Sequence, residues 1–272
     1  MLMKDTRSTE LFLSNERKRQ QLKKVRMPWM GEIRMEENYI FKADFIISEC
    51  NEEAYSACVS FLEDPHRKFI ALFGPSSSGK THLLKTILKE YQTRYPEAKV
   101  RKTTCEEIIG EYIEVLNCDD YKQRRKVFCS ALCEYELLII DNMQFIAGKT
   151  STQVELASWF AEMLKHNKNV FLAFDRPASC FEEIIENVKT EDSSINLLTL
   201  MEPDIKFKGI YLERLLKEMN MDIPSEVKKI LMHDPNIRFG MFRGYLQKVL
   251  FLQEHIGRLL SSAELLECLS DY

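Results

Sequence analysis

The chain has 272 residues, of which 45% are hydrophobic and 29% charged, and a formal net charge of −4. This composition fits a globular protein with one large or two modest cores and excludes collagenous, low-complexity and membrane-spanning chains; the slight acidity leaves any nucleic-acid contact to local basic patches. Eight cysteines stand apart without a Cys-x-x-Cys pair or a cysteine–histidine cluster, which argues for reduced thiols rather than disulfides or zinc, and with no secretory or long apolar run the chain is placed in the cytoplasm, off the membrane.

Residues 1–38 lack sustained periodicity and are read as a basic N-terminal arm, partly disordered. Arg17–Arg26 holds six cations in ten positions, either a solvated segment or a tether to nucleic-acid phosphates. From about Tyr39 strands and helices alternate. A helix is predicted over Asn51–Leu62, a buried strand over 69–73 and a short strand over Lys99–Thr103. Helices follow near Cys105–Leu116 and Asp120–Leu132, then a third buried strand over Glu136–Ile140. Ser151–Lys165 sets Leu156, Trp159, Phe160, Met163 and Leu164 on one face of an amphipathic helix, and Val170–Phe174 and Ile195–Leu200 are two further strands. Five strands joined by helical crossovers predict an α/β fold, a parallel sheet flanked by helices, over residues 39–202. After Pro203 the pattern is wholly helical, near 204–219, 224–233, 238–260 and after Ser262, which predicts a small all-helical domain over 203–272.

Gly74-Pro75-Ser76-Ser77-Ser78-Gly79-Lys80-Thr81 lies between the 69–73 strand and a helix carrying Leu83, Leu84, Ile87, Leu88 and Tyr91. Two glycines separated by four residues, then lysine and a hydroxyl, in a strand–loop–helix setting make a phosphate-binding loop. The glycines let backbone N–H groups turn inward around a triphosphate at a helix N-terminus. Lys80 brings a point charge toward the β- and γ-phosphates, and Thr81 offers a hydroxyl to Mg2+. Asp141, which closes the apolar run Leu137–Ile140, supplies the acid for the magnesium shell. The next residue is Asn142, whose amide positions a water but cannot accept its proton, so ATP binding with slow or absent hydrolysis is expected. Asp175, at the end of the fourth strand before Arg176-Pro177, is placed to sense the γ-phosphate or to hold that water.

These residues together resemble the bacterial replication initiator DnaA/Hda family of the AAA+ class of phosphate-loop NTPases. The matching stretches are Gly79-Lys80-Thr81-His82-Leu83-Leu84, Leu138–Lys149, Gln153 with Glu155, Asp175-Arg176-Pro177 and Asn236-Ile237-Arg238, so the resemblance runs from about residue 39 to 255. The Asp141–Asn142 pair is closer to Hda than to DnaA. The resemblance implies an AAA+ domain with a helical lid, ATP or ADP with Mg2+ as ligand, and a role in chromosomal replication initiation or its regulation. By the same resemblance Asn51 lies near the adenine, Gly74 to His82 hold the nucleotide, and Arg238 is the lid arginine, with Arg243 as the alternative. It also implies that the two helices before Asp141 grip single-stranded DNA. Ile113 and Lys149 match strand-contacting positions, while Lys122, Arg124, Arg125 and Lys126 form a basic run, read either as backbone contacts or as a solvated helix face.

Departures from the family narrow the expectation. Where the family carries an arginine finger this chain reads Glu183–Asp192, and no arginine occurs between Arg176 and Arg214, leaving Lys189 as a weaker charge. The sequence stops after the lid helices, so duplex origin-box binding is not expected. Glu10-Leu11-Phe12-Leu13 is similar to a sliding-clamp peptide but has glutamate where glutamine is required, so clamp binding is not expected either. The leading reading is an ATP-binding assembly factor that joins the replication initiator, with single-stranded DNA as a further partner. The alternative is a DnaC-like loader of the replicative helicase, docked through residues 1–38. A small-molecule kinase is a third reading, for which no acceptor-binding motif is present.

Overall fold

Three short strands, β1 (Met35–Glu36), β2 (Tyr39–Lys42) and β3 (Phe45–Ile47), pair antiparallel in that order. The computed structural model that shows them describes residues 35–36, 39–42, 45–66, 68–117, 119–189 and 194–269. Of the basic arm expected over 1–38, residues 1–34 and 37–38, with Arg17–Arg26 and Glu10–Leu13, lie outside the described residues, and Met35–Glu36 is β1. This small sheet is absent from the sequence reading, because strands of two to four residues are too short to display alternation.

Beyond it the expected alternation is present. Helix α1 (Glu52–Glu63) precedes β4 (Lys68–Phe73), and α2 (Lys80–Arg94) leads to β5 (Val100–Thr104). Helices α3 (Cys105–Leu116) and α4 (Tyr121–Leu132) form a hairpin before β6 (Leu137–Asp141). Then come α5 (Thr150–Lys165), β7 (Asn169–Phe174), α6 (Glu182–Lys189) and β8 (Ser194–Thr199). The five long strands form one sheet in the order β5-β6-β7-β4-β8, every neighbouring pair parallel.

Period-two burial explains the layers. Phe69, Ala71 and Phe73 of β4, Leu138 and Ile140 of β6, and Val170, Leu172 and Phe174 of β7 face one core with Trp159, Phe160 and Phe181. Ile70, Leu72, Leu137, Ile139, Phe171 and Ala173 face the other, against Phe61 of α1 and Leu83, Ile87 and Tyr91 of α2. A sheet covered on both faces explains why its strands read as continuous apolar runs. Helix α6 was not expected from sequence. Its eight residues bury Ile184, Ile185 and Val188 but are shorter than the window in which helical spacing is legible.

The C-terminal helices are α7 (Ile205–Glu218), α8 (Ser225–His233), α9 (Phe242–Ile256) and α10 (Ser262–Leu269), and they enclose a third core around Leu215, Leu231, Tyr245 and Leu246. The single helix expected over 238–260 is divided. Residues Phe239–Met241 form a 3-10 turn, and α9 ends at Gly257, whose φ of 73° is the left-handed conformation that caps helices. Among the described residues no helix is long and apolar enough to cross a membrane.

One carboxylate ties the α3–α4 hairpin to the body. Glu155 on α5 accepts from Tyr112 Oη of α3 at 2.7 Å, from Arg125 Nε and Nη2 of α4 at 2.9 Å each, and from Trp159 Nε1 at 2.9 Å. Burial pushes the Glu155 carboxyl pKa up, but the bonds from Arg125, Tyr112 and Trp159 outweigh it and hold the pKa below its ordinary value. A depressed carboxyl pKa stabilises the fold above the unfolded-state pKa, and that contribution is lost as pH falls through the folded-state value. Glu155→Gln is therefore expected to cost about 2 kcal/mol at neutral pH. The gap from wild type should close as pH drops below the ordinary carboxyl range, as read from urea unfolding at a series of pH values.

Candidate functional site

The carboxyl ends of β4, β7 and β6 stand side by side, and each delivers one part of a site. Their register aligns Phe73 with Phe174 and Ile140 with Leu172, so the loop after β4, Asp175 after β7 and Asp141 at the end of β6 face the same crevice. A cavity of about 880 Å³ opens there, between these ends and the C-terminal helices α7 and α9. Crevices beyond the carboxyl ends of parallel strands are where α/β folds hold ligands.

The loop is shaped for close backbone approach. A Cβ at Gly74 would run into the carbonyl oxygen of Leu200 and stand 2.9 Å from Ser78 Oγ. Gly79, with φ 97°, turns the chain into α2 in a conformation that other residues avoid. Ser77 is also left-handed, with φ 64°. Ser76, Ser77, Ser78 and Gly79 line the cavity, and the carbonyl of Pro75 accepts from the Ser78 N–H at 3.2 Å.

Lys80 is buried at the start of α2. Its Nζ donates to the carbonyls of Gly74 and Pro75 at 2.8 Å each and to Ser78 Oγ at 3.3 Å. Burial lowers its pKa, and the charges of Asp175 and Asp141 oppose that shift. Thr81 Oγ1 donates to Asp141 Oδ2 at 2.7 Å, and Asp141 Oδ1 accepts from the Asn142 N–H at 2.9 Å. Asn142 is left-handed at φ 59° and ψ 41°, which swings its side chain to the cavity lining. Asp175 Oδ1 is buried without a hydrogen-bond partner, and Arg176 Nε stands 3.8 Å from it. A hydroxyl, two carboxylates and an amide converging on a phosphate cradle form a hard, all-oxygen set of the type that suits Mg2+ beside phosphate. The described residues hold no self-sufficient cluster of metal ligands.

At the opposite end the wall is aromatic. His82 stacks on Phe45 at 5.4 Å, and Phe239 stands edge-on to Phe207 at 5.5 Å and to Tyr211 at 5.4 Å. Asn51 lines this end but its amide is committed to the chain. Its Oδ1 accepts from the Ser48 N–H at 3.0 Å and its Nδ2 donates to the Ile46 carbonyl at 3.0 Å. Arg238 is not part of the lining. It is an exposed residue ahead of the 3-10 turn, and the three residues of that turn carry Arg243 to the cavity wall instead. There Arg243 forks onto Glu218, with Nη1 and Nη2 donating at 3.1 and 3.0 Å. Arg214 lines the same wall, a position that helical spacing alone does not single out.

The candidate DNA residues separate into two groups. Ile113 is half exposed, Lys122 and Arg124 are exposed on α4, and Arg124 Nε donates to Asp120 Oδ1 at 2.6 Å one turn away. Lys149 sits over the Phe145 ring at 4.0 Å, in the turn that packs against α3. Leu116 and Tyr121 add exposed apolar surface at the hairpin tip, which the sequence reading did not name. Arg125 differs from its neighbours in sequence: its guanidinium donates to Glu155 and Tyr112, at the hairpin's attachment to the body.

The profile of the bacterial DnaA ATPase domain matches residues 35–194, more than half of the chain. The chain is 26% identical over 209 residues to the chromosomal replication initiator protein DnaA of Chloroflexus aggregans, covering 76% of this chain and 43% of that protein. It is 28% identical over 203 residues to the DnaA of Corynebacterium jeikeium, covering 74% of this chain and 34% of that protein. The chain thus spans less than half the length of these relatives. Among solved structures, domain III of Thermotoga maritima DnaA superposes with a TM-score of 0.72 at 22% identity, over 84% of this chain and 95% of that one. A DnaA bound to AMPPCP and single-stranded DNA superposes with a TM-score of 0.63 at 25% identity, over 76% of this chain and 63% of that one. The chain belongs to the bacterial DnaA ATPase-domain family.

Proposed function

We propose that this chain binds ATP and ADP with Mg2+ in the cavity and acts in the cytoplasm in initiation of chromosomal replication, or in its regulation, by nucleotide-dependent assembly with the initiator. The observation that carries the reading is the contact between Thr81 and Asp141 beside a phosphate loop, within a fold of the DnaA family. Residues 39–202 serve as the nucleotide-binding body and 203–272 as the lid. Loop residues 74–79 and Lys80 hold the phosphates, while His82, Phe45 and the wall at Asn51 receive the base. Thr81 and Asp141 would hold Mg2+, which neutralises charge on the phosphate oxygens. Arg243, by its place on the cavity wall, is the lid cation in preference to Arg238.

Assembly is favoured over turnover for two reasons. Asn142 cannot take a proton from water, and no arginine lies between Arg176 and Arg214 to reach a neighbour's phosphate. The relatives reported above are initiators, which supports this reading over a helicase loader. Single-stranded DNA is a further partner, because a related initiator of the same fold is described as bound to it. In this chain Ile113, Lys122, Arg124 and Lys149 are the residues placed to meet a strand.

The decisive experiment is gel filtration of this protein with the host's initiator under ATP, ADP and no nucleotide. A complex formed with ATP and lost in Lys80→Met is expected, and no complex under any condition would overturn the assembly role. Lys80→Met should also leave the nucleotide-free thermal midpoint equal or higher, since it removes a buried ammonium.

Asn142→Asp is expected to raise ATP hydrolysis about a hundredfold, at the lower end of the roughly 100- to 10,000-fold range of general-base effects. A brisk wild-type rate in a phosphate-release assay would sink that expectation.

Lys122→Ala with Arg124→Ala should weaken binding to a short single strand and flatten its salt dependence, whereas Arg125→Ala should lower thermal stability. Equal losses of DNA affinity from all three, with folding intact, would contradict the division.

A further inference from the structure

Gly240 is the middle residue of the 3-10 turn Phe239–Met241, and it presses on the phosphate loop from the lid side. A Cβ there would stand 2.9 Å from Ser77 Oγ and 3.1 Å from Ser77 Cβ. Gly240 is not among the glycines with positive φ, so the backbone does not demand glycine at this point. Space does. The loop residue beneath it, Ser77, is the one held left-handed at φ 64°.

The same turn is anchored on its other side by Phe239, edge-on to Phe207 and Tyr211 of α7. Three residues after Gly240, Arg243 emerges at the cavity wall. The turn is thus clamped between the aromatic pair and the phosphate loop, and it sets the starting point of the helix that carries Arg243.

We propose that Gly240 is a positioning residue, whose bare backbone seats the lid on Ser77 and so fixes how closely Arg243 approaches the phosphate cradle. A displacement of the loop at Ser77 is passed to the turn through the short Ser77 side chain alone, because Gly240 adds none of its own. The consequence for a bound ligand rests on the reading of the cavity as a nucleotide site; the seat itself does not.

A steric cycle on the full chain tests this, with Gly240→Ala, Gly240→Val, Ser77→Gly and the double variant Ser77→Gly/Gly240→Ala. Ser77→Gly removes both atoms that an added Cβ would meet, and glycine accepts the left-handed φ without strain. Two readouts are used: the release rate of a fluorescent ATP analogue, and limited proteolysis of the lid without nucleotide. Gly240→Ala is expected to release the analogue about fivefold faster, Gly240→Val faster still, and the double variant within about twofold of Ser77→Gly. In proteolysis without nucleotide, Gly240→Ala should expose the lid faster than wild type and the double variant should restore protection. Wild-type release and protection in Gly240→Ala, or losses that Ser77→Gly does not repair, would overturn the seat. Where wild type itself retains no analogue, the nucleotide reading fails and the proteolysis cycle alone decides for or against the seat.

Discussion

The site depends on one buried ammonium. Lys80 has left water at the mouth of the crevice, and desolvation pulls its pKa down. Two carbonyls of its own loop, a serine hydroxyl and the charges of Asp141 and Asp175 keep the proton in place. None of those partners is a strong anion in direct contact, so the cation is held but not neutralised. An incoming phosphate offers Nζ a stronger acceptor than a peptide carbonyl, because hydrogen bonds between charged groups are about twice as strong as neutral ones. The loop carbonyls would then be released and its N–H groups left to face the ligand. The fold therefore carries the cost of a buried charge without ligand and recovers it on binding.

That geometry was largely legible where local chemistry and periodicity agree. Phe69–Phe73, the two glycines and Lys80-Thr81 form a strand, a turn that only glycines permit and a helix start, and the structure has all three in those places. Asp141 was found because a carboxylate ending an apolar run has few other uses. Which arginine reaches the cavity wall was not legible. Choosing between Arg238 and Arg243 needs the geometry of three residues in a 3-10 turn, and no spacing rule separates a broken helix from a continuous one there. Arg125 was hidden for a related reason. Its neighbours in sequence are exposed cations, but its partner, Glu155, is thirty residues away on another helix.

This division of the α4 cations has a physical logic. A hairpin that presents Ile113, Lys122 and Arg124 to a partner has to be held at its base, or each contact would also bear the entropy of ordering two helices. Glu155 does that holding with four bonds drawn from three helices. Arg125 suits the task because its fork can satisfy both carboxylate oxygens at once, which a lysine cannot. Exposed Arg124 pairs with Asp120 one turn away, a local ion pair of the kind that water screens.

The same contrast applies to the lid. Arg243 is bound to Glu218 by a bidentate pair, yet both side chains are about half exposed, at 44% and 51%. Pairs of that exposure are worth about 1 kcal/mol or less, because water screens both charges. A phosphate oxygen within the crevice is less screened and would outcompete Glu218 at small expense. The pair with Glu218 holds Arg243 at the cavity wall. Since α9 begins directly after the turn in which Gly240 faces the Ser77 side chain, the distance from this guanidinium to the cradle follows from how that turn is seated. Charge on one wall and close backbone contact on the other give the lid a closed geometry that a ligand has only to complete.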